Sequence, residues 1–200
     1  LYNPPDVSPG AFVWTLSYVT RLPVLCVPVF AALGFAGADS AVSGLLWAAL
    51  CVVLTAGIST FYLEYLRRNV RLGDPVRLSQ GGGIRPVRVI AAQYLVAWAL
   101  LTLLGIPFGI GSLLLLYALL VVLAATLAPE EEISLHTGAI CGSAVALTHT
   151  FGSWGLLTFS ILPLAWWART ATGRHTPQEL AFGALAGTIG ALAIFLLMAG

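Results

Sequence analysis

No charged side chain occurs from residue 89 to residue 129, a run of 41 positions. One helix crosses the hydrocarbon layer of a membrane in about 20 residues, so the run predicts two crossings. The break between them falls at Gly105-Ile-Pro-Phe-Gly-Ile-Gly111, where glycine and proline interrupt the helical pattern. Residues 180–200 are a second uncharged stretch. With 59% hydrophobic residues and 8% charged ones, the chain cannot cover these surfaces in water. The expected fold is all-α: a polytopic transmembrane helical bundle of about six or seven membrane segments, one domain over residues 1–200, with the motif loops on one membrane face.

Apolar segments can be traced at about 22–38, 43–63, 89–106, 109–128, 134–150, 154–168 and 178–199. Pro23 and Pro28 bend the first, and residues 11–20 offer it an extension within an N-terminal interfacial segment, 1–21. The fifth and sixth are short, and two readings stay open for them: full crossings, or segments partly re-entrant and buried in protein. Residues 64–88 form an arginine-rich loop, and 129–136 and 169–179 are the motif regions. The opening Leu-Tyr-Asn-Pro-Pro shows no cleavable signal peptide and lacks Met, which leaves room for an upstream segment.

Counting crossings gives the loops a side. Loops 64–88, 129–133 and 169–178 share one face, and with Arg21 that face carries all nine basic residues, every one an arginine. The positive-inside rule makes this face cytoplasmic. If the arginines hold substrate phosphate they are not topological signals, so both orientations stay open. Arginine without lysine points to a GC-rich prokaryotic genome and hence to a cell (inner) membrane. No basic patch interleaved with aromatics is present, so nucleic acid is not an expected partner. Cys26, Cys51 and Cys141 lie inside apolar runs and read as small packing residues.

Charged and imidazole side chains at membrane depth are costly and mark candidate sites. His175 and Glu179 are one helical turn apart and share a face. Thr176 suits a helix cap and Pro177 the first helical position. A carboxylate there can bind one ring nitrogen and leave the other as a nucleophile or base. The bland alternative is a capped helix start with an incidental ion pair, but Arg169 and Arg174 nearby favour a phosphate-handling site. His136 stands at the start of the fifth segment, after Ser134, where unpaired N–H groups suit an anion. It faces the side that His175 faces, so one histidine can attack phosphorus while the other protonates the leaving oxygen; a plain pairing with Glu132 is compatible with that. His149 lies 13 residues further on, roughly 20 Å along a helix, and reads as a packing or interfacial histidine. Arg85 and Arg77 are further phosphate ligands, while Arg67, Arg68, Arg71 and Arg88 suit a solvated or lipid-facing surface. Gly138/Gly142 and Gly183/Gly187 are small-xxx-small pairs expected to pack helices closely.

These residues resemble the motifs of the type 2 phosphatidic acid phosphatase family of integral membrane lipid phosphatases. Its third signature is Ser-Arg, five residues, His, three residues, Asp; here Arg169, His175 and Glu179 keep the spacing, with Ala168 in the Ser position and Glu for Asp. Its second, Pro-Ser-Gly-His, is matched in part by Ile133-Ser134-Leu135-His136. Its first, Lys, six residues, Arg-Pro, keeps Arg85-Pro86, with Leu78 in the lysine position and Arg77 beside it. The resemblance covers roughly residues 60–190 and implies a phosphohistidine on His175, oriented by Glu179. It implies His136 as the acid, and Arg85, Arg169 and Ser134 as phosphoryl ligands. It implies no metal, and a lipid phosphate or polyprenyl (di)phosphate as substrate, reached laterally from the surrounding lipids.

Glu130-Glu131-Glu132 departs from that picture, because carboxylates repel a phosphate. They suit a solvated helix start near a positive dipole end. The alternative is that Glu132 and Glu131 bind Mg²⁺, which would make the protein a prenyl-diphosphate transferase, lyase or cyclase on the same scaffold. A non-enzymatic, transporter-like membrane protein is the third possibility.

Overall fold

A computed structural model describes residues 10–19, 22–69, 86–127, 134–173 and 175–198. Every regular element among them is helical. In order they are α1 (Ala11–Val19), α2 (Leu22–Gly37), α3 (Ala41–Val52), a π-helical turn (Val53–Gly57) and α4 (Ile58–Asn69). Then come α5 (Pro86–Leu103), α6 (Phe108–Thr126), α7 (Leu135–Phe151), a 3₁₀ segment (Gly152–Ser160), α8 (Ile161–Ala171) and α9 (Pro177–Met198). Five helical stretches are long and apolar enough to span a membrane, and Val24–Gly37 is a shorter apolar helix. The protein is an all-α polytopic bundle.

The expected break in the long uncharged run is a turn at Leu104–Pro107, with Gly105 at φ +83°. It separates α5 from α6, the central helix of the bundle. Ile110, Leu113, Leu114, Tyr117, Leu120 and Val121 line one face of α6 and are buried, and buried Gly111, Ser112, Leu116 and Ala118 widen that face well around the helix, leaving a narrow strip with Leu119 and Leu123 exposed. The outer helices instead turn Phe61, Leu103, Leu196 and Leu197 outward, fully in the open. In water such a surface would aggregate; against lipid tails it carries no penalty.

Residues 135–171 are helical throughout, yet they are two arms of a hairpin. Gly152 ends α7 at φ +60° and ψ −137°, a backbone region that residues with a Cβ avoid. A Cβ on Gly155 would fall on the backbone of Leu147 and Thr148. In a straight helix residues 148 and 155 would stand about 10 Å apart, so the chain has folded back. The returning arm, a 3₁₀ segment followed by α8, carries exposed Trp154 at one end and exposed Trp167 at the other. Such rings sit at the two membrane–water boundaries. The short fifth and sixth segments are thus antiparallel neighbours, and α9 runs parallel to α7.

The register of α7 on α9 follows from three close approaches. Ser134 N–H donates to Glu179 O over 3.2 Å. A Cβ on Gly183 would strike the Ser134 carbonyl, and one on Gly187 would strike the Gly138 carbonyl. The approaches join residues 45 to 49 positions apart, the near-constant offset of a parallel pair. No other pair of described elements packs as extensively. The two glycine pairs therefore do what their spacing predicted and bring two backbones into contact.

The π-helical turn Val53–Gly57 widens the backbone ring and disturbs the usual carbonyl pairing. Gln93 on α5 answers it: its Nε2 donates to Leu54 O at 2.7 Å and to Thr55 O at 3.1 Å, and Ser59 Oγ donates to Gln93 Oε1 at 3.2 Å. In a hydrocarbon environment backbone groups must be satisfied by the protein itself. Cys26, Cys51 and Cys141 are buried free thiols, as expected.

Gly187→Leu should force α7 and α9 apart. The obstructing atoms are backbone, which cannot rotate away, so the expected cost is at least the roughly 1–3 kcal/mol of an overpacked core. A thermal melt of the purified protein in detergent would read it; an unchanged melting temperature would refute the close crossing.

Candidate functional site

The first turn of α9 is built on a reciprocal cap. Glu179 N–H donates to Thr176 Oγ1 at 3.3 Å, while Thr176 Oγ1 donates to Glu179 Oε1 at 3.0 Å and Thr176 N–H donates to Oε2 at 3.4 Å. This is a capping box, with Pro177 at the first helical position. The same carboxylate has a second task. Its Oε2 lies 2.9 Å from His175 Nδ1. A carboxylate only accepts, so Nδ1 carries the proton, and in the neutral ring Nε2 keeps the nucleophilic lone pair. The glutamate arm is long enough to reach back to the cap and to the imidazole together.

Arg169 occupies the last turn of α8 and is only 2% exposed, the largest fully buried side chain among the described residues. Helix α8 closes immediately afterwards. Thr172 N–H returns to Ala168 O, Gly173 N–H returns to Thr170 O, and Gly173 takes φ +65°. This tight exit brings Arg169 and His175 to one end of the bundle. A guanidinium removed from water binds a phosphate more strongly than an exposed one.

His136 is in the first turn of α7. Its ring centroid lies 6.5 Å from that of His175, with the planes at 50°. Ser134, just before the helix, is fully buried, and its Oγ makes no hydrogen bond among the described residues. Thr137, also fully buried, donates from Oγ1 to Ser134 O and Leu180 O, both at 3.0 Å. It locks the start of α7 to the start of α9. Since the two helices are parallel, both positive dipole ends converge on the histidine pair and favour an anion between them.

Of the residues singled out from the sequence, His136, Ser134, Arg169, His175 and Glu179 are gathered at one end of the bundle. Arg77, Arg85, Arg174, Glu131 and Glu132 lie outside the described residues, as does the rest of the 129–133 run. Among the described residues no three His, Cys, Asp or Glu side chains come close enough to share a metal ion. Arg68 pairs with Glu64 at 2.6 Å on an exposed helix face, and Arg88 is exposed, in keeping with a solvated or lipid-facing surface. His149 is at the other end of α7, exposed at the rim, its ring tilted against Phe195 at 4.9 Å and near Phe108 at 6.4 Å. It is the aromatic packing residue expected.

Thr137 and Gln93 escaped the sequence reading. A signal for Thr137 existed: it is a hydroxyl one turn into a helix whose partner carries glycine at the matching height. Gln93 carried no such signal, because nothing in the sequence marks a π turn.

Thr176→Ala removes the cap and releases one oxygen of Glu179. It should cost about 1 kcal/mol of stability and loosen the His175 ring, read by a melt and by the imidazole nitrogen shifts in NMR. A His175 Nδ1–H resonance unchanged by the substitution would show that the cap does not help to hold the carboxylate.

No protein-family model, curated protein or solved structure matches this chain.

Proposed function

We propose that the protein is a membrane-embedded phosphatase that hydrolyses a lipid phosphate or polyprenyl (di)phosphate through a phosphohistidine, in the manner of the type 2 phosphatidic acid phosphatases its motifs resemble. The observation that carries this reading is the pairing of His175, held through Nδ1 by Glu179, with His136 across a 6.5 Å gap. Attack needs a reacting contact of about 3–3.5 Å, and proton transfer needs a hydrogen bond of about 2.6–3.2 Å. A centroid separation of 6.5 Å places the two imidazoles as neighbours that one phosphoryl group can bridge.

In the first step Nε2 of His175 forms a bond to phosphorus as the bond to the leaving oxygen breaks. Protonated His136 gives its proton to that oxygen. The imidazolium character that develops on His175 is stabilised by Glu179. In the second step His136, now neutral, takes a proton from water as the water oxygen attacks phosphorus. The N–P bond breaks and inorganic phosphate leaves. Arg169, the Ser134 hydroxyl and the N-terminal N–H groups of α7 are the described groups suited to the phosphoryl oxygens, whose charge grows most in the transition state. Arg85, Arg77 and Arg174 complete that set in the reading from the motifs. The arginine-only composition favours a prokaryotic cell membrane as the site of action.

Phosphate release from phosphatidic acid, phosphatidylglycerol phosphate, undecaprenyl diphosphate and farnesyl diphosphate, with and without EDTA, tests the reading. Release that survives EDTA and is abolished in His175→Ala is the expected result. Full release by His175→Ala from every substrate would falsify it. Metal-dependent conversion of a prenyl diphosphate into a hydrocarbon would instead favour the magnesium transferase, lyase or cyclase. Tight binding without turnover would favour a non-enzymatic, transporter-like protein. Glu179→Gln keeps an oxygen for the cap but loses the charge on His175, so kcat should fall by about a hundredfold or more with little change in the melting temperature.

A further inference from the structure

A cavity of about 200 Å³ lies between α2, α7 and the returning arm of the hairpin, walled by Leu25, Pro28, Ile140, Leu147, Thr158 and Ile161 among others. At 3.6 residues per turn, Ile140, Ser143 and Leu147 all stand within about 40° of His136 around α7. They continue the face that carries His136 downward, from about 6 to about 16 Å below it. Ser143 contributes the polar atom of this wall, and that atom is already engaged: it donates to Ala139 O at 2.6 Å and lies 2.6 Å from Tyr117 Oη. The slot therefore offers hydrocarbon contact and little else. On the α2 side it is flanked by Pro28, whose side chain is exposed to the surroundings of the bundle. Its volume gives room for a stretch of one hydrocarbon chain.

We propose that this slot seats a single hydrocarbon tail of the phosphorylated substrate, threaded past Pro28 and running up the His136 face of α7 to the histidine pair. The inference rests on the phosphatase reading for the position of the phosphate. It makes the substrate a phosphate ester that presents one long apolar chain, and it makes the slot the determinant of chain length. A larger cavity of about 390 Å³, lined by Val145, Thr148, His149, Thr188 and Leu192 among others, does not compete. Its α7 residues stand about 120° or more from His136 and lie toward the far end of the helix.

The test compares kcat/KM for geranylgeranyl monophosphate with that for dimethylallyl monophosphate. The proteins are the wild type, two slot-filling variants (Leu147→Trp and Ile161→Trp) and Leu192→Trp, which fills the other cavity. Each buried methylene contributes about fourfold in binding, so blocking even two should lower the long-to-short ratio by about fifteenfold. Leu192→Trp should keep the wild-type ratio. A ratio unchanged in both slot variants, or lowered only by Leu192→Trp, overturns the proposal. A second readout is independent of turnover and of the slot variants folding. Geranylgeranyl monophosphate with a diazirine near the tail terminus is crosslinked to His175→Ala in lipid nanodiscs. Label on peptides spanning 140–147 and 158–161 supports the slot. Label confined to 188–196, or to lipid-facing Leu103, overturns it. If the wild type releases no phosphate from either ester, the phosphatase reading has failed, and the crosslink alone decides whether the slot holds a tail.

Discussion

Backbone contact between α7 and α9 governs the geometry at the histidine end of the bundle. Gly183 lies against the Ser134 carbonyl and the Thr137 hydroxyl, and Gly187 against the carbonyl of Gly138. In a membrane the apolar surfaces of two helices gain nothing by leaving lipid, so close packing and buried hydrogen bonds must hold them together. Thr137 supplies the hydrogen bonds, to Ser134 O and Leu180 O. A parallel crossing fixed this way sets the height of His136 on one helix against that of His175 at the head of the other. A one-residue slip would rotate His136 by about 100° and remove it from the pair.

Two parallel helices in sequence need a return path, and the 3₁₀ segment with α8 provides it. The reversal at Gly152 and the exit at Gly173 both use positive φ, so each turn is short. Arg169 is the consequence: it sits in the last turn of α8, already desolvated, at the height where the two helix starts converge. The positive ends of two helices, a guanidinium and two imidazoles are gathered at one end of the bundle, while the single described carboxylate there, Glu179, is occupied by the cap and by His175 Nδ1. That balance is what an anion-binding site at a membrane boundary requires. Below it the same face of α7 becomes apolar, so polar and apolar demands are stacked along one helix.

Much of this was legible in the chain. The uncharged runs gave the crossings and the break at Gly105, because hydrocarbon excludes charge. The four-residue spacing of His175 and Glu179, with Thr176 and Pro177 between, gave the capped helix start, because those contacts are local. The glycine pairs announced a close packing of the later helices but did not name their partners, since a missing side chain says only that something comes near. The π turn and Gln93 were not legible: they are a long-range repair, made between residues about 39 positions apart, and neither residue is unusual for a membrane helix.

The sequence by itself determined that the chain is a helical membrane bundle, where its helices begin and end, and which face of α9 carries the imidazole and its carboxylate. These follow from hydrophobic length and from contacts within one turn. Only the tertiary structure decided that the fifth and sixth segments pack as a close hairpin about Gly152, the register in which α7 meets α9, and that the ring centroids of His136 and His175 stand 6.5 Å apart. It also decided that a slot opens beneath the pair. Those outcomes depend on which helices meet, and that is settled by the fit of whole surfaces, a property no local pattern of residues contains.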